Sequence, residues 1–305
     1  MNNNGQHAIS VEKDSNRILV FFDYMSDVEF WLKITFSCVF FQWVFASIFA
    51  GVELTILQKI TVYWVVNVGS FYLIAYTIEN VIKKNPDMSK TRCTRDPALN
   101  IQSQPYVIQM KRTLLSLAQS FVISALVILL LREVERGVHF VWSFAWFFMS
   151  IVVTDFAFYA HHRWLLHNKR LRRFLKIHAE HHRYHDSSGF VTGHKNFSDM
   201  VINFVLADMV VLILFGFDFN QLLAWTLVIN LFNIEGHSAI SLLYIGTDFH
   251  DKHHTHVKGN YGIHGMFDRI FGTFINGTRK TGILFPANTL GEYYLKRQKI
   301  GLPSK

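Results

Sequence analysis

Two cysteines in a chain of 305 residues leave little room for sulfur chemistry. Cys38 and Cys93 are too few for a disulfide framework, and a thiolate metal cluster is excluded with it. Both read as packing residues or as residues without a role. A secretory leader is also missing from the sequence. Residues 1–28 are polar and mixed in charge, with no short apolar core and cleavage site. The first apolar segment is therefore expected to stay in the mature protein as an anchor. No internal repeat of domain size and no low-complexity tract is present. Histidine is scarce before residue 161, where only His7 and His139 occur.

What the chain has in quantity is apolar sequence in long runs. Half of its residues are hydrophobic and 15% are aromatic. The runs 30–54, 60–78, 114–131 and 139–160 carry almost no internal charge. Each approaches the ~20 residues that cross a bilayer as a helix. Buried helices of a soluble protein are a poor alternative for four such runs. A further apolar region, 200–234, is broken by Asp208, Gly216 and Asp218 and reads as a tight helical pair or a re-entrant hairpin. The expected fold is all-α and integral to the membrane: about four transmembrane helices, this shorter pair, and a helical histidine-rich cap. The expected organisation is a polar segment over 1–28, a transmembrane region over 29–160, a histidine region over 161–280 with the hairpin 200–236 inside it, and a tail over 281–305.

The formal charge of +8 is compatible with nucleic acid, but its placement argues for the membrane surface. Lys83, Lys84, Lys90, Arg92, Arg95, Lys111 and Arg112 lie between the second and third runs. Arg163, Lys169, Arg170, Arg172, Arg173 and Lys176 follow the fourth. The positive-inside rule puts both segments in the cytoplasm, which four spans with cytoplasmic termini satisfy. The basic run 169–176 reads as an interfacial helix on lipid headgroups.

Fourteen of the sixteen histidines fall between 161 and 264, just beyond the fourth run. The pattern H-x-x-H-H occurs twice, at His178, His181, His182 and at His250, His253, His254. Positions i, i+3 and i+4 share a helix face, so each triplet can converge. His162 and His167 are five apart and diverge by about 140° on a regular α-helix. They serve different metals or sit where the helix is irregular. His237 closes the second apolar region at the same level, and His194 follows the second cluster. Neutral imidazole binds first-row metals. Eight or more histidines exceed one tetrahedral site and imply two metals. Lone histidines such as His7, His139, His185, His256 and His264 read as surface or locally satisfied residues.

Taken together, H-R-x-x-x-H at His162–His167 and the two triplets resemble the fatty acid hydroxylase / sterol desaturase superfamily. The closing stretch is similar to the signature of that family in Asn260, Tyr261, Gly262, Asp268, Phe271, Gly272 and Thr273. The resemblance covers roughly 145–280. It implies a membrane-bound non-haem oxygenase with two ferrous ions. Such an enzyme hydroxylates or desaturates a lipid or sterol with dioxygen. Its electrons come from an external donor such as cytochrome b5 or ferredoxin with NAD(P)H. It implies His162, His167, His178, His181, His182, His237, His250, His253 and His254 as ligands, with His194 as a further candidate and no catalytic residue beyond the ligands. The first pair is spaced as in the fatty acid 2-hydroxylase branch, whereas the sterol branches use H-x-x-x-H. The former branch has a histidine where this chain has Asn233, so that corner falls to His194, to water or to nothing.

Metal-bound histidines hand their second N–H to a carboxylate or carbonyl. Asp155, Glu180, Asn233, Glu235, Asp248 and Asp251 are the candidates. Trp142, Phe144, Trp146, Phe158 and Tyr159 are candidates for a substrate channel or for packing. The implied partners are a bilayer lipid or sterol, an electron-transfer protein and the membrane, with no nucleic acid. The implied location is the endoplasmic reticulum or a bacterial inner membrane, with the histidines on the cytosolic side. Two competing readings are a metal transporter and a non-catalytic relative. A transporter would place histidines within its spans, and the first three runs contain none.

Overall fold

The computed structural model describes residues 28, 31–82, 84, 106–134, 137–183, 189–238, 250, 253–254, 258–263 and 265–275. Among these the secondary structure is helical, with one isolated bridge between Glu133 and Phe217. Helix α1 spans Trp31–Ile48. Helix α2, Ile56–Thr77, continues as a π-turn over Ile78–Ile82. Helix α3 is Tyr106–Leu130, and α4 is Phe140–His161, followed by a π-turn over His162–Leu166. Short helices α5, Arg172–Ala179, and α6, Phe197–Asn203, lie beyond it. A π-turn over Phe204–Asp208 joins α6 to α7, Met209–Phe215. Helix α8 is Phe219–Ser238 and α9 is Met266–Ile270.

Local chemistry sets several boundaries. Helix α2 opens on a capping box: the Thr55 hydroxyl accepts from the Gln58 N–H, and the Thr55 N–H donates to Gln58 Oε1 at 2.8 Å. Asn196 caps α6 by accepting from the Asp199 N–H at 2.9 Å. Gly216, at φ +65°, makes the tight turn between α7 and α8.

Among the described residues, five helices are long and apolar enough to cross a membrane: Trp31–Ile48, Ile56–Ile82, Thr113–Leu130, Phe140–Leu166 and Phe197–Phe215. The first four lie on the runs expected as spans. The fifth is the first arm of the 200–234 region, which forms a helical pair. Large apolar side chains point outward along the spans, including Trp43, Leu73, Leu130 and Val141. In water that would be an aggregation surface; against lipid it is the expected exterior. Cys38 is buried on α1 as a packing residue, and Cys93 lies outside the described residues.

Helix α8 packs mainly along α2. Asn230 pins the pair by donating to Asn67 O, Asn67 Oδ1 and Ser70 Oγ at 2.9, 3.1 and 2.9 Å. The segment 189–195 is held at one end of this bundle by three helices. Gly189 N–H donates to Glu79 Oε1 at 2.8 Å, Thr192 Oγ1 to Asn233 O at 2.9 Å, and Ser116 Oγ to Lys195 O at 2.9 Å. A Cβ at Gly189 would come within 2.7 Å of Ile234 Cγ2, so glycine permits the close approach to α8. The ends of α4 and α8 are thereby brought beside α5 and the 3-10 turns His181–Arg183 and Gly189–Gly193.

Candidate metal centre

Nine histidines meet at this end of the bundle in two adjacent groups. His162, His167, His178, His182 and His253 form one; His181, His237, His250 and His254 form the other. Within each group one ligand nitrogen from every residue lies within 4.8 Å of the rest. The groups touch: the His182 and His254 rings are 4.4 Å apart between centroids.

The first pair converges because α4 does not continue as an α-helix. His167 N–H donates to His162 O at 2.9 Å, an i to i+5 bond that closes a π-turn. The extra residue per turn removes the divergence expected of a regular helix, and the two Nε2 atoms lie 3.2 Å apart. Of the two readings of this pair, the irregular helix is the one found.

The triplets behave differently from the expectation that each feeds one site. His178 and His182 enter the five-histidine group, and His181 enters the other. His250 and His254 enter the four-histidine group, and His253 crosses to the first. Positions i and i+4 stay together while i+3 faces the neighbouring centre, because i+3 and i+4 diverge by about 100° on a helix. The two groups are thus interleaved through both triplets.

Hydrogen bonds at the second ring nitrogen fix the tautomers. His162 Nδ1 donates to Tyr261 O at 2.8 Å, His253 Nδ1 to Gly259 O at 2.7 Å and His237 Nδ1 to Asn233 O at 2.7 Å. His181 Nδ1 donates to His194 O at 3.3 Å and His178 Nδ1 to Asp199 Oδ1 at 3.1 Å. The proton sits on Nδ1 in each, and the neutral ring then presents Nε2 as a bare lone pair. Two such bare nitrogens, on His162 and His178, are 3.0 Å apart; another two, on His181 and His237, are 3.2 Å apart. Neither pair can hydrogen-bond. With metal–nitrogen bonds of about 2.1 Å, imidazole nitrogens at right angles around one ion lie about 3.0 Å apart. The donor set and its spacing therefore fit one first-row cation per group.

Burial disfavours the charged form of several of the rings beyond the spans. It holds the His253 imidazole down at about 3, and His167, also repelled by His253 and His178, at about 2. Burial likewise lowers His181, His182, His250 and His254 well below the usual histidine range. A cavity of about 40 Å³ opens beside both groups, lined by His162, His178, His181, His237, Phe158 and Asn233 among others. A volume of that size suits a water or a diatomic molecule. A larger apolar cleft of about 680 Å³, lined by Trp142, Trp146 and Met149, lies toward the other end of α4. Trp146 is sixteen residues, about 24 Å of helix, before His162.

The match with known proteins falls on this region, from Trp146 in α4 to Thr273 beyond α9, and its family model is described as fatty acid hydroxylase. Residues 146–273 match the fatty acid hydroxylase family model. Fatty acid hydroxylase domain-containing protein 2 of Macaca fascicularis is 25% identical over 136 residues, 43% of this chain and 40% of that relative. The Homo sapiens protein of the same name is 24% identical over the same shares. The chain spans about two-fifths of the length of these relatives. No solved structure matches.

Within the matched region, nine of the ten candidate ligands lie in the two groups. The tenth, His194, does not; its Nε2 lies 3.4 Å from Glu180 Oε1, and its carbonyl orients His181. Asn233 supports His237 through its backbone carbonyl. Asp155 is fully buried, and its Oδ1 accepts from the Ile263 N–H at 2.8 Å. Glu235 is buried on α8, and its carbonyl accepts from Ser238 Oγ. Asp248 and Asp251 lie outside the described residues, as do His7, His185, His256 and His264. His139 precedes α4 and lines the distant cleft. Asp199, the carboxylate partner of His178, was not anticipated. Its one sequence signal is the first-turn position after the Asn196 cap, which places it but gives no hint of His178.

Proposed function

We propose that this chain is a membrane-bound non-haem di-iron oxygenase that hydroxylates or desaturates a C–H bond of a lipid or sterol. The observation that carries the reading is the pair of bare Nε2 contacts, 3.0 and 3.2 Å, one in each group. Lone pairs held face to face in a buried site require a cation, and an all-nitrogen donor set suits a redox metal better than magnesium or calcium. Two bound irons would supply the activation of dioxygen, with electrons from an external donor such as cytochrome b5 or ferredoxin.

The side chains divide the remaining work. Five Nδ1–H bonds hold His162, His178, His181, His237 and His253 with Nε2 aimed inward. Phe158, Phe232 and Ile263 give the small cavity an apolar wall for a substrate carbon, and Asn233, Thr192 and Lys195 give it a polar one. Substrate reaches the site from the bilayer, since the clustered histidines sit at the ends of helices apolar enough to span it. The cytosolic side is supported by the basic segments under the positive-inside rule; the membrane is the endoplasmic reticulum in a eukaryote or the inner membrane in a bacterium.

The test is metal analysis of the detergent-purified chain, followed by lipid product analysis with dioxygen and a reductant. The expected result is two irons per chain and an oxygen-dependent oxidised or unsaturated lipid. Ala variants at His181 and His254 that keep full metal and activity would refute the reading, as would a chain that takes up zinc alone.

A further inference from the structure

The closing signature lies outside both histidine groups, and the proposed chemistry gives it no task. Its loop, residues 259–263, has polar partners on both sides. On one side its carbonyls accept from two ligands of a single group, Gly259 O from His253 and Tyr261 O from His162. On the other side, three successive backbone N–H groups donate to two carboxylates with no exposed surface. Tyr261 N–H and Gly262 N–H bond Asp268 Oδ1 and Oδ2 at 2.8 and 2.7 Å, and Ile263 N–H bonds Asp155 Oδ1 at 2.8 Å.

The surroundings fix these carboxylates in turn. Thr273 Oγ1 donates to Asp268 Oδ1 at 2.6 Å and lies 3.2 Å from the buried Tyr159 hydroxyl, to which Arg163 also donates. Asn260, at φ +52°, binds Ile275 through both ends of its amide, and its N–H donates to Thr273 O. Gly259 sits at φ +145°, and a Cβ there would come within 2.5 Å of Thr273 O. The loop is thus held in one conformation from several directions.

We infer that Asp268 and Asp155 are positioning residues for one centre only, the five-histidine group, acting through the backbone of the 259–263 loop. The inference rests on the two-metal reading above. Among the described residues, His181 and His237 of the four-histidine group take their second-nitrogen bonds from His194 O and Asn233 O, neither of which belongs to this loop. Loss of the clamp should therefore affect the two groups unequally, which general unfolding would not do.

The experiment compares the full chain with Asp268→Asn and Asp268→Ala, measuring metal content and affinity by chelator competition in detergent. Asparagine keeps one acceptor and turns the other into a donor facing a backbone N–H. Alanine removes both. The expected result is one metal equivalent unchanged and the other bound about 10–100-fold more weakly. Thr273→Val, which removes only the hydroxyl bonded to Asp268, should give a smaller loss of the same equivalent. Double variants identify it: Asp268→Ala with His181→Ala should hold only the weakened equivalent, and Asp268→Ala with His162→Ala only the equivalent of unchanged affinity. Two metals of unchanged affinity in the Asp268 variants, or equal loss of both, would overturn the clamp alone. A wild-type chain that takes up no metal overturns the two-metal reading and the clamp with it.

Discussion

Asp199 offers the sharpest test of how the five-histidine group is held. Its carboxylate is fully buried and lies 3.1 and 3.3 Å from His178 Nδ1 through its two oxygens. Asn203 Nδ2 donates to the same Oδ1 at 2.8 Å, and also to the Asp199 backbone carbonyl at 2.8 Å. In Asp199→Ala two donors lose an acceptor, one amide N–H of Asn203 and the Nδ1–H of His178, and only the second bears on the metal. One buried unsatisfied donor costs about 1–3 kcal/mol. Losing a partner of a ligating histidine costs about 10–100-fold in metal affinity, which is about 1.4–2.8 kcal/mol. The two routes agree. Asp199→Asn retains a neutral acceptor and should fall at the low end. The assay is chelator competition on detergent-purified protein, with thermal unfolding of the metal-free form as the control for folding. Metal affinity within twofold of wild type in Asp199→Ala would refute the argument that His178 is oriented by this carboxylate.

Other expectations follow from the same geometry. His178→Ala and His181→Ala, three residues apart, should each remove a different metal equivalent, so that the double variant holds none; metal analysis of all three checks this. Asn230→Leu should lower the unfolding temperature in detergent by the equivalent of about 0.6–1.7 kcal/mol, through loss of its bonds to Asn67 and Ser70. Gly189→Ala should destabilise by about 1–3 kcal/mol. Ile234→Ala should relieve part of that in a double-mutant cycle, since Ile234 Cγ2 is the atom the new methyl meets.

The sequence was informative where periodicity and composition speak for a whole segment. Apolar runs of near-membrane length marked the four spans, and two copies of H-x-x-H-H marked the ligands. It was less informative where the outcome depends on which way a single residue faces. The split of each triplet between two groups turns on the 100° between i+3 and i+4, which matters only once both partner groups are in place. The second-nitrogen acceptors were harder still. Four of the five are backbone carbonyls, those of Gly259, Tyr261, Asn233 and His194, and any residue type offers a carbonyl. Acidic side chains drew attention instead, and of the described candidates Asp155 supports the loop next to a ligand. Asp199 is local to nothing that names it, since His178 lies twenty-one positions away on another element.

The π-turn at the end of α4 bears on how histidine spacings are read. On a regular α-helix, imidazoles four residues apart share a face; here a fifth residue is absorbed by one i to i+5 bond, and His162 and His167 still meet at 3.2 Å. A four-residue and a five-residue spacing are two spellings of one ligand placement. The distance between these histidines along the chain then reports helix winding alone.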